Sequence, residues 1–489
     1  MSGKKKAKDY KIIFVDKILD PVHGFIDITE VEREIIALPV FKRLQSIKQL
    51  SLTNWVFPGA EHTRYIHSLG VMYIADLMAL HLGIFTDEQR QLLRLAGLLH
   101  DIGHYPLSHV TEYVYGDNLI EEERTLYNHN SGIKSKIDKI GERKIPEYMI
   151  SRYSSKMHHE KIGTEVIKSD ENIIQIINDL CPFVDIQDIC DIIVGCVDID
   201  RKPELSALVQ LMHSELDADG IDYIMRDASF SGTSYGGFEL GMLLRNLSVT
   251  KYNGIDIVGV KPKGISIVDQ YLVSKYFAYT QVIFNKHVAV YDTMAEMLTR
   301  MLIEIDESAY PDKKYLLKNI STHCKNDKFL LFTDTFFWSQ LTRLSKEGLQ
   351  GITADYLTDI FDKFIHYQEL ECVDEVVVTS SKYEDVIKQL QESDIYSCLE
   401  NKDEKTMALY HTRGFTSEIP VEDYKLLLQE RWEDEYSEER FIQTNMTRLQ
   451  EGIAIIEEGL DPKLLVDDPR SIMSYMYNVK TYILRKYAI

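Results

Sequence analysis

The sequence is poor in cysteine, poor in positive charge and free of long apolar runs. Six cysteines are spread over 489 residues, at positions 181, 190, 196, 324, 372 and 398, and none forms a C-x-x-C pair. That spacing excludes a disulfide framework and a zinc ribbon, and points to a reducing compartment with unpaired thiols. Nothing approaches the roughly 20 continuous apolar residues of a membrane span, so no membrane association is expected. The start, Met1-Ser2-Gly3-Lys4-Lys5-Lys6, has no apolar run behind it and does not read as a signal peptide. A cytoplasmic protein is expected, or a nuclear one in a eukaryotic host. Lys and Arg number 55 against 77 Asp and Glu, a formal net charge of −22. Nucleic-acid binding rests on neutralising phosphates with Lys and Arg, so a nucleic-acid platform is not expected. Anionic phosphates bind such a chain only where basic groups and metals gather in one cleft.

What is present is helical patterning around a cluster of histidines. Residues 1–10 read as a basic flexible tail and 11–325 as the main helical core. Residues 326–489 read as a mostly helical region with a short sheet and oligomer contacts. The first segment, Lys11–Ile28, holds the turn Asp20-Pro21-Val22-His23-Gly24 between extended flanks. Val31–Leu50 has helical spacing, split by Pro39. A helix carrying His67 follows Pro58-Gly59 and can run to Gly83. The next is announced by Thr86 and Gln89, a capping box, and is apolar nearly all round, which buries His100 and Asp101 at its end. Gly103 and Pro106 stop it. Residues 121–156, rich in charge, read as a mobile insertion or lid, or as a surface helical hairpin. Lys251–Asp269 reads as a β-hairpin, Tyr271–Ile305 as helix, Val373–Thr379 as a strand and Tyr383–Gln391 as a helix. The last hundred residues read as charged helix. The fold class expected is mainly α, with small β-hairpin elements and a mixed α/β C-terminal region.

Chemistry concentrates in three blocks. Six of the fifteen histidines (62, 67, 81, 100, 104, 109) fall between positions 62 and 109. His100, Asp101 and His104 fall on one side of a helix end, at i, i+1 and i+4. Asp219, Tyr223 and Asp227 are spaced by four and form one helical stripe. Two imidazoles and two carboxylates, from His67, His100, Asp101 and Asp219, suit a divalent metal acting on phosphate oxygens and water.

The blocks carry a resemblance. Pro58-Gly59-Ala60-Glu61-His62-Thr63-Arg64-Tyr65-Ile66-His67-Ser68-Leu69-Gly70, His100-Asp101-Ile102-Gly103-His104-Tyr105-Pro106-Leu107-Ser108-His109 and Asp219-Gly220-Ile221-Asp222-Tyr223-Ile224-Met225-Arg226-Asp227 stand in order. Together they resemble the HD-domain metal-dependent phosphohydrolases, in the dNTP triphosphohydrolase branch that includes SAM-and-HD-domain and bacterial enzymes. The resemblance covers roughly Lys11–Tyr310. It implies an HD-type helical core and metal ligation by His67, His100, Asp101 and Asp219, with Mn, Fe, Zn, Ni and Mg left open as the ion. It implies that Arg64 contacts phosphate and that His104 and His109 sit against the α-phosphate and attacking water, with Glu112 orienting His109. It implies His159 as the acid for the leaving oxygen, Tyr223 and Asp227 at the sugar 3′-hydroxyl, and Gln49 and Leu50 beside sugar and base. The implied reaction converts a dNTP and water to deoxynucleoside and inorganic triphosphate, with Mg2+ on the substrate phosphates. It also implies a homo-oligomer, tetramer or dimer, and leaves open a nucleotide effector. Gly220 stands where some members carry a lysine, and Ser51 where they carry glycine; no SAM domain is expected before the core.

Simpler readings stand beside these. A buried histidine alone is more often a hydrogen-bonded core residue than a ligand; the clustering argues otherwise here. His81 and His62 read as structural, His62 by orienting the Arg64 loop. Asp217 reads as a helix N-cap and Asp222 as the i+4 partner of Arg226. Cys190 and Cys196 read as small apolar residues. His158 and His159 are not distinguished by spacing. The rival functions are a phosphodiesterase or nucleotidase acting on another phosphoester, and a nucleotide-binding regulator without turnover.

Overall fold

The computed structural model describes residues 10–115, 130–140, 157–196, 202–305, 310–348, 355–399, 406–431 and 438–489. The basic tail before Tyr10 and most of the 121–156 insertion lie outside the described residues. Within them the chain is mainly α-helical, as the sequence pattern indicates.

The chain enters as a β-hairpin, Phe14–Asp20 paired with Gly24–Thr29. Helix Glu30–Ala37 follows, and Pro39 opens a separate short helix, Pro39–Lys42, because its fixed φ suits a first turn but not a helix interior. Helix Arg64–Leu82 ends at Gly83 in the left-handed region (φ 67°). Thr86 and Gln89 form the expected capping box of Asp87–Leu99. By length and composition Arg64–Leu82 is apolar enough to cross a bilayer, but 61% of that window is buried inside the fold, as for a core helix.

These two helices cross at Gly97, where a Cβ would come within 3.0 Å of the Met72 backbone. A buried ionic network stitches them to the N-terminal elements. Arg94 gives Nε and Nη2 to the Glu32 carboxylate, each at 2.7 Å, and Nη1 to Asp76 at 2.9 Å. Burial disfavours charge on Glu32, but Arg94 outweighs it and holds the carboxyl below its usual range.

The expected hairpin near 251–269 sits earlier: Leu247–Tyr252 pairs with Ile255–Val260, and helix Ile265–Phe277 takes the rest. Asn253-Gly254, both at positive φ, make the turn. The last hundred residues are less helical than their charge suggests. Glu371–Ser380, Lys480–Ala488 and Thr406–Gly414 form an antiparallel sheet with Lys480–Ala488 in the centre. Helix Asn130–Asp138, inside the 121–156 insertion, packs Ile133 and Ile137 with Val386, Leu390 and Leu484 in a hydrophobic cluster on this sheet.

Candidate active site

Three buried segments deliver the site. His67 lies one turn into helix Arg64–Leu82. Helix Asp87–Leu99 ends one residue before His100, so Asp101 and His104 lie in the turns after it rather than on the helix. The helix stops there because Gly103 lies against helix His159–Ser169: a Cβ would sit 2.2 Å from Gly163 N and His159 O. Asp219 is in the first turn of Ala218–Ser231, capped by Asp217, whose Oδ1 accepts the Gly220 amide at 2.7 Å. Tyr223 and Asp227 follow on the same helix.

The four expected ligands converge. His67 Nε2 lies 2.9 Å from Asp219 Oδ1 and 3.8 Å from Asp101 Oδ2; His100 Nε2 lies 3.4 Å from Asp101 Oδ1 and 3.9 Å from Asp219 Oδ1. Neither Nε2 has a hydrogen bond, although both are buried. Their tautomers explain this. His67 Nδ1 donates to Asp222 Oδ2 at 2.8 Å, and His100 Nδ1 donates to Gly97 O at 2.8 Å. In the neutral rings each Nε2 is therefore the lone-pair nitrogen, facing carboxylate oxygens. Acceptors facing acceptors around one point fit a cation, and the donor set of two imidazoles and two carboxylates fits a divalent metal. Burial alone would lower the His67 pKa, but Asp219 and Asp222 outweigh it and hold it up at about 10, so the field here favours positive charge.

Asp222 does more than the expected pairing with Arg226. It takes Arg226 Nε at 2.8 Å and His23 Nε2 at 2.5 Å as well as the His67 ring, a carboxylate–histidine support behind a metal ligand. Gly70 is what admits it: a Cβ there would meet Asp222 Oδ1 at 1.9 Å.

Beside the ligands stands a second group of imidazoles. His104 stacks on His159 at 4.1 Å between centroids, and His109 lies 4.8 Å from His104. Glu112 joins them, accepting His159 Nδ1 at 3.0 Å and the His159 amide at 2.8 Å on Oε1, and His109 Nδ1 at 2.7 Å on Oε2. Burial would lower the His159 pKa, but the Glu112 carboxylate holds it up at about 9. His104 is pushed well below its usual range, by burial first and then by Arg64 and His159. His158 is 3.9 Å from Glu112 and held down at about 3 by burial and by His159, so the structure separates the two neighbours. Arg64 donates Nη1 to Asp101 Oδ2 and Nε to Ser108 Oγ, both at 2.9 Å. The side chains of His109 and Asp219 are 47% and 41% exposed, which marks the open side of the site.

Leu50 and Asp227 line one pocket, with Tyr235, Ala278 and Ile283. Gln49 is buried with its Oε1 unbonded, and Tyr223 is half-buried nearby. His62, expected only to orient a loop, is paired through Nε2 with Asp227 Oδ1 at 2.7 Å. Ser51, where glycine is the family residue, has φ 48°, the conformation that favours glycine. At Gly220 a Cβ would meet Tyr271 Oη at 2.4 Å and Asp217 Oδ1 at 2.8 Å, so a side chain there requires both to shift.

Three residues escaped the sequence reading. Asp334 accepts the Leu107 amide on Oδ1 at 2.7 Å and the Lys48 amide on Oδ2 at 2.9 Å. It thereby holds the Gln49 loop against the His109 loop, where Leu107 and Ser108 have φ near 55° and 53°. Arg43 gives Nη2 to His104 O at 2.7 Å. Arg413, on the C-terminal sheet, stacks over Tyr279 at 3.8 Å and adds positive charge near Tyr223. None of the three stands in a motif.

Residues 64–194 match the model of the HD domain. The chain is 30% identical over 277 residues to an uncharacterized protein of Methanocaldococcus jannaschii, covering 57% of this chain and 48% of that one. It is 29% identical over 271 residues to an uncharacterized protein of Bacillus subtilis, covering 54% and 51%. Its match thus spans about half the length of these relatives. It is 46% identical over 99 residues to the deoxynucleoside triphosphate triphosphohydrolase SAMHD1 of Homo sapiens, covering 19% and 16%. A hypothetical protein from Aquifex aeolicus shares the fold with a TM-score of 0.62 and 23% identity, over 97% of this chain and 96% of that one. A phosphohydrolase from Bacteroides thetaiotaomicron does so with a TM-score of 0.59 and 21% identity, over 97% and 100%. The chain carries an HD domain and is similar in sequence to dNTP triphosphohydrolases.

Proposed function

We propose that this HD-domain protein is a metal-dependent phosphohydrolase that cleaves dNTPs into deoxynucleoside and inorganic triphosphate. The observation that carries the reading is the convergence of two lone-pair imidazole nitrogens and two carboxylates beside the Glu112–His159 pair. His67, His100, Asp101 and Asp219 would hold the metal. Bound there, it supplies positive charge to a phosphoryl oxygen and lowers the pKa of water.

The chain's own groups do the rest. Arg64 offsets charge on the phosphate. His109 gives its Nδ1–H to Glu112, which leaves Nε2 to accept a proton from the attacking water. His104, kept neutral, offers an N–H to a non-bridging oxygen. Glu112 also fixes the Nδ1–H of His159, so its Nε2–H faces the site and protonates the leaving 5′ oxygen as the phosphorus–oxygen bond breaks. From Asp219 the helical stripe runs about 6 Å to Tyr223 and about 12 Å to Asp227, leading away from the metal ligands toward the sugar. Tyr223 and Asp227 bind the 3′-hydroxyl, and Gln49 and Leu50 flank sugar and base. Mg2+ would accompany the outer phosphates, and the working form would be a homo-oligomer.

One observation favours a second reading. Gly220 places no cationic side chain directly after Asp219, which suits a nucleotidase or phosphodiesterase on a smaller phosphoester. Product analysis decides. Pure protein is incubated with each dNTP, singly and mixed, with Mg2+ or Mn2+, and products are resolved by anion exchange beside an Asp101→Ala control. Deoxynucleoside with triphosphate, absent in the control, supports the proposal; monophosphate or orthophosphate supports the second reading.

A further inference from the structure

Among the described residues, one further cluster of metal-ligating side chains lies outside the active site. Asp170, His323 and Cys324 bring a carboxylate oxygen, an imidazole nitrogen and a sulfur within 4.8 Å of one another. Asp170 and His323 are buried, and Cys324 is exposed.

His323 Nδ1 lies 2.6 Å from the carbonyl oxygen of Ile320, so Nδ1 carries a proton and donates it. Nε2 pairs with Asp170 Oδ2 at 2.9 Å, a proton between them, and lies 3.7 Å from Cys324 Sγ, so these atoms favour positive charge where they meet. This is how metal-ligating histidines are held, with the far nitrogen pinned by a carbonyl. Asp170 is pinned too: its Oδ1 accepts the amides of Asn172 at 2.9 Å and Ile173 at 3.0 Å, leaving Oδ2 for the cluster. Tetrahedral zinc would set nitrogen and sulfur about 3.6 Å apart and nitrogen and oxygen about 3.4 Å apart. The nitrogen–sulfur distance already matches, and the nitrogen–oxygen distance would open by about 0.5 Å.

We propose that Asp170, His323 and Cys324 form a second metal site, of Zn2+ type, with water as the fourth ligand on the exposed side. Binding releases two protons to solvent, the thiol proton of Cys324 and the proton shared by His323 Nε2 and Asp170, so the imidazole binds neutral. A thiolate, an imidazole and a carboxylate favour zinc over the hard cations that accompany phosphates. The site clamps two segments that reach the catalytic groups. Asp170 follows helix His159–Ser169, which begins at the catalytic histidine. The His323 segment continues to Phe329 and Phe332, whose carbonyls accept Arg43 Nε at 3.0 and 3.1 Å, and Arg43 holds His104 O.

Co2+ added to the full-length protein tests this, because sulfur-to-cobalt charge transfer absorbs in the near ultraviolet and the HD site has no sulfur. The wild type is expected to show that band, and Zn2+ to abolish it. Cys324→Ser, an exposed change, is expected to lose the band while circular dichroism stays unchanged. His323→Gln is expected to lose it as well. No band in the wild type, or a band that persists in Cys324→Ser, overturns the proposal. The readout is independent of catalysis, so its failure leaves the active-site reading untouched.

Discussion

Replacing Glu112 by Gln removes one negative charge from between the imidazoles of His109 and His159. Glu112 is buried, and its carboxylate contacts His159 through two N–H groups and His109 through one. Burial by itself disfavours imidazolium, and Glu112 is the largest of the carboxylates, with Glu160 and Asp101, that hold His159 at about 9 rather than 6.5. That difference corresponds to about 3 kcal/mol in favour of the protonated ring. At pH 7.5 a histidine with a pKa of 9 is roughly 97% protonated, and one at 6.5 roughly 9%. If His159 is the acid, Glu112→Gln lowers kcat/KM at pH 7.5 by up to about tenfold, and the loss shrinks as pH falls. The alkaline limb of the pH–rate profile moves from near 9 toward 6.5. The raised pKa also stabilises the fold below pH 6.5, a contribution lost as pH rises through about 9. A variant that is slow but keeps the wild-type alkaline limb would refute the assignment of His159 as acid.

Other perturbations have defined outcomes. Asp222→Asn, which weakens the support behind His67, is expected to cost about 10- to 100-fold in metal affinity, read by metal titration, with little change in the pocket. Asp334→Ala orphans two buried amides and is expected to cost about 2–4 kcal/mol in urea denaturation, together with a fall in kcat. Burial holds the Asp334 carboxyl up at about 6, so the folded state favours its neutral form. The stability this confers is full below pH 3.8 and lost as pH rises through about 6; Asp334→Asn is expected to lose that pH dependence. Glu32→Gln leaves Arg94 buried with half its compensation and is expected to cost about 3–5 kcal/mol.

The convergence of the four proposed metal ligands was legible because each sits in a short motif whose neighbours declare it. His100-Asp101 ends an apolar helix, and Asp219 opens a stripe with Tyr223 and Asp227. The supporting carboxylates were harder. Asp222 has a local partner in Arg226 that accounts for it, so its bond to His67, 155 residues away, leaves no trace in spacing. Asp334 lies 227 residues from Leu107 and belongs to no pattern; only folding gives it a role. The Arg64–Leu82 and Asp87–Leu99 helices were read closely because Gly83 and the Thr86 capping box mark their ends. The strand Lys480–Ala488 was missed because it is central to its sheet: Thr481 to Arg485 are all buried, which erases the alternation that identifies a half-exposed strand. The turn after Leu99 was read as helix end because the contact of Gly103 with Gly163 is invisible to local propensity.

The most direct test of the central claim is hydrolysis of a dNTP in water enriched in oxygen-18, with products weighed by mass spectrometry. Attack at the α-phosphorus places one heavy oxygen in inorganic triphosphate and none in the deoxynucleoside. Label in the deoxynucleoside, in a nucleoside monophosphate or in orthophosphate would contradict it.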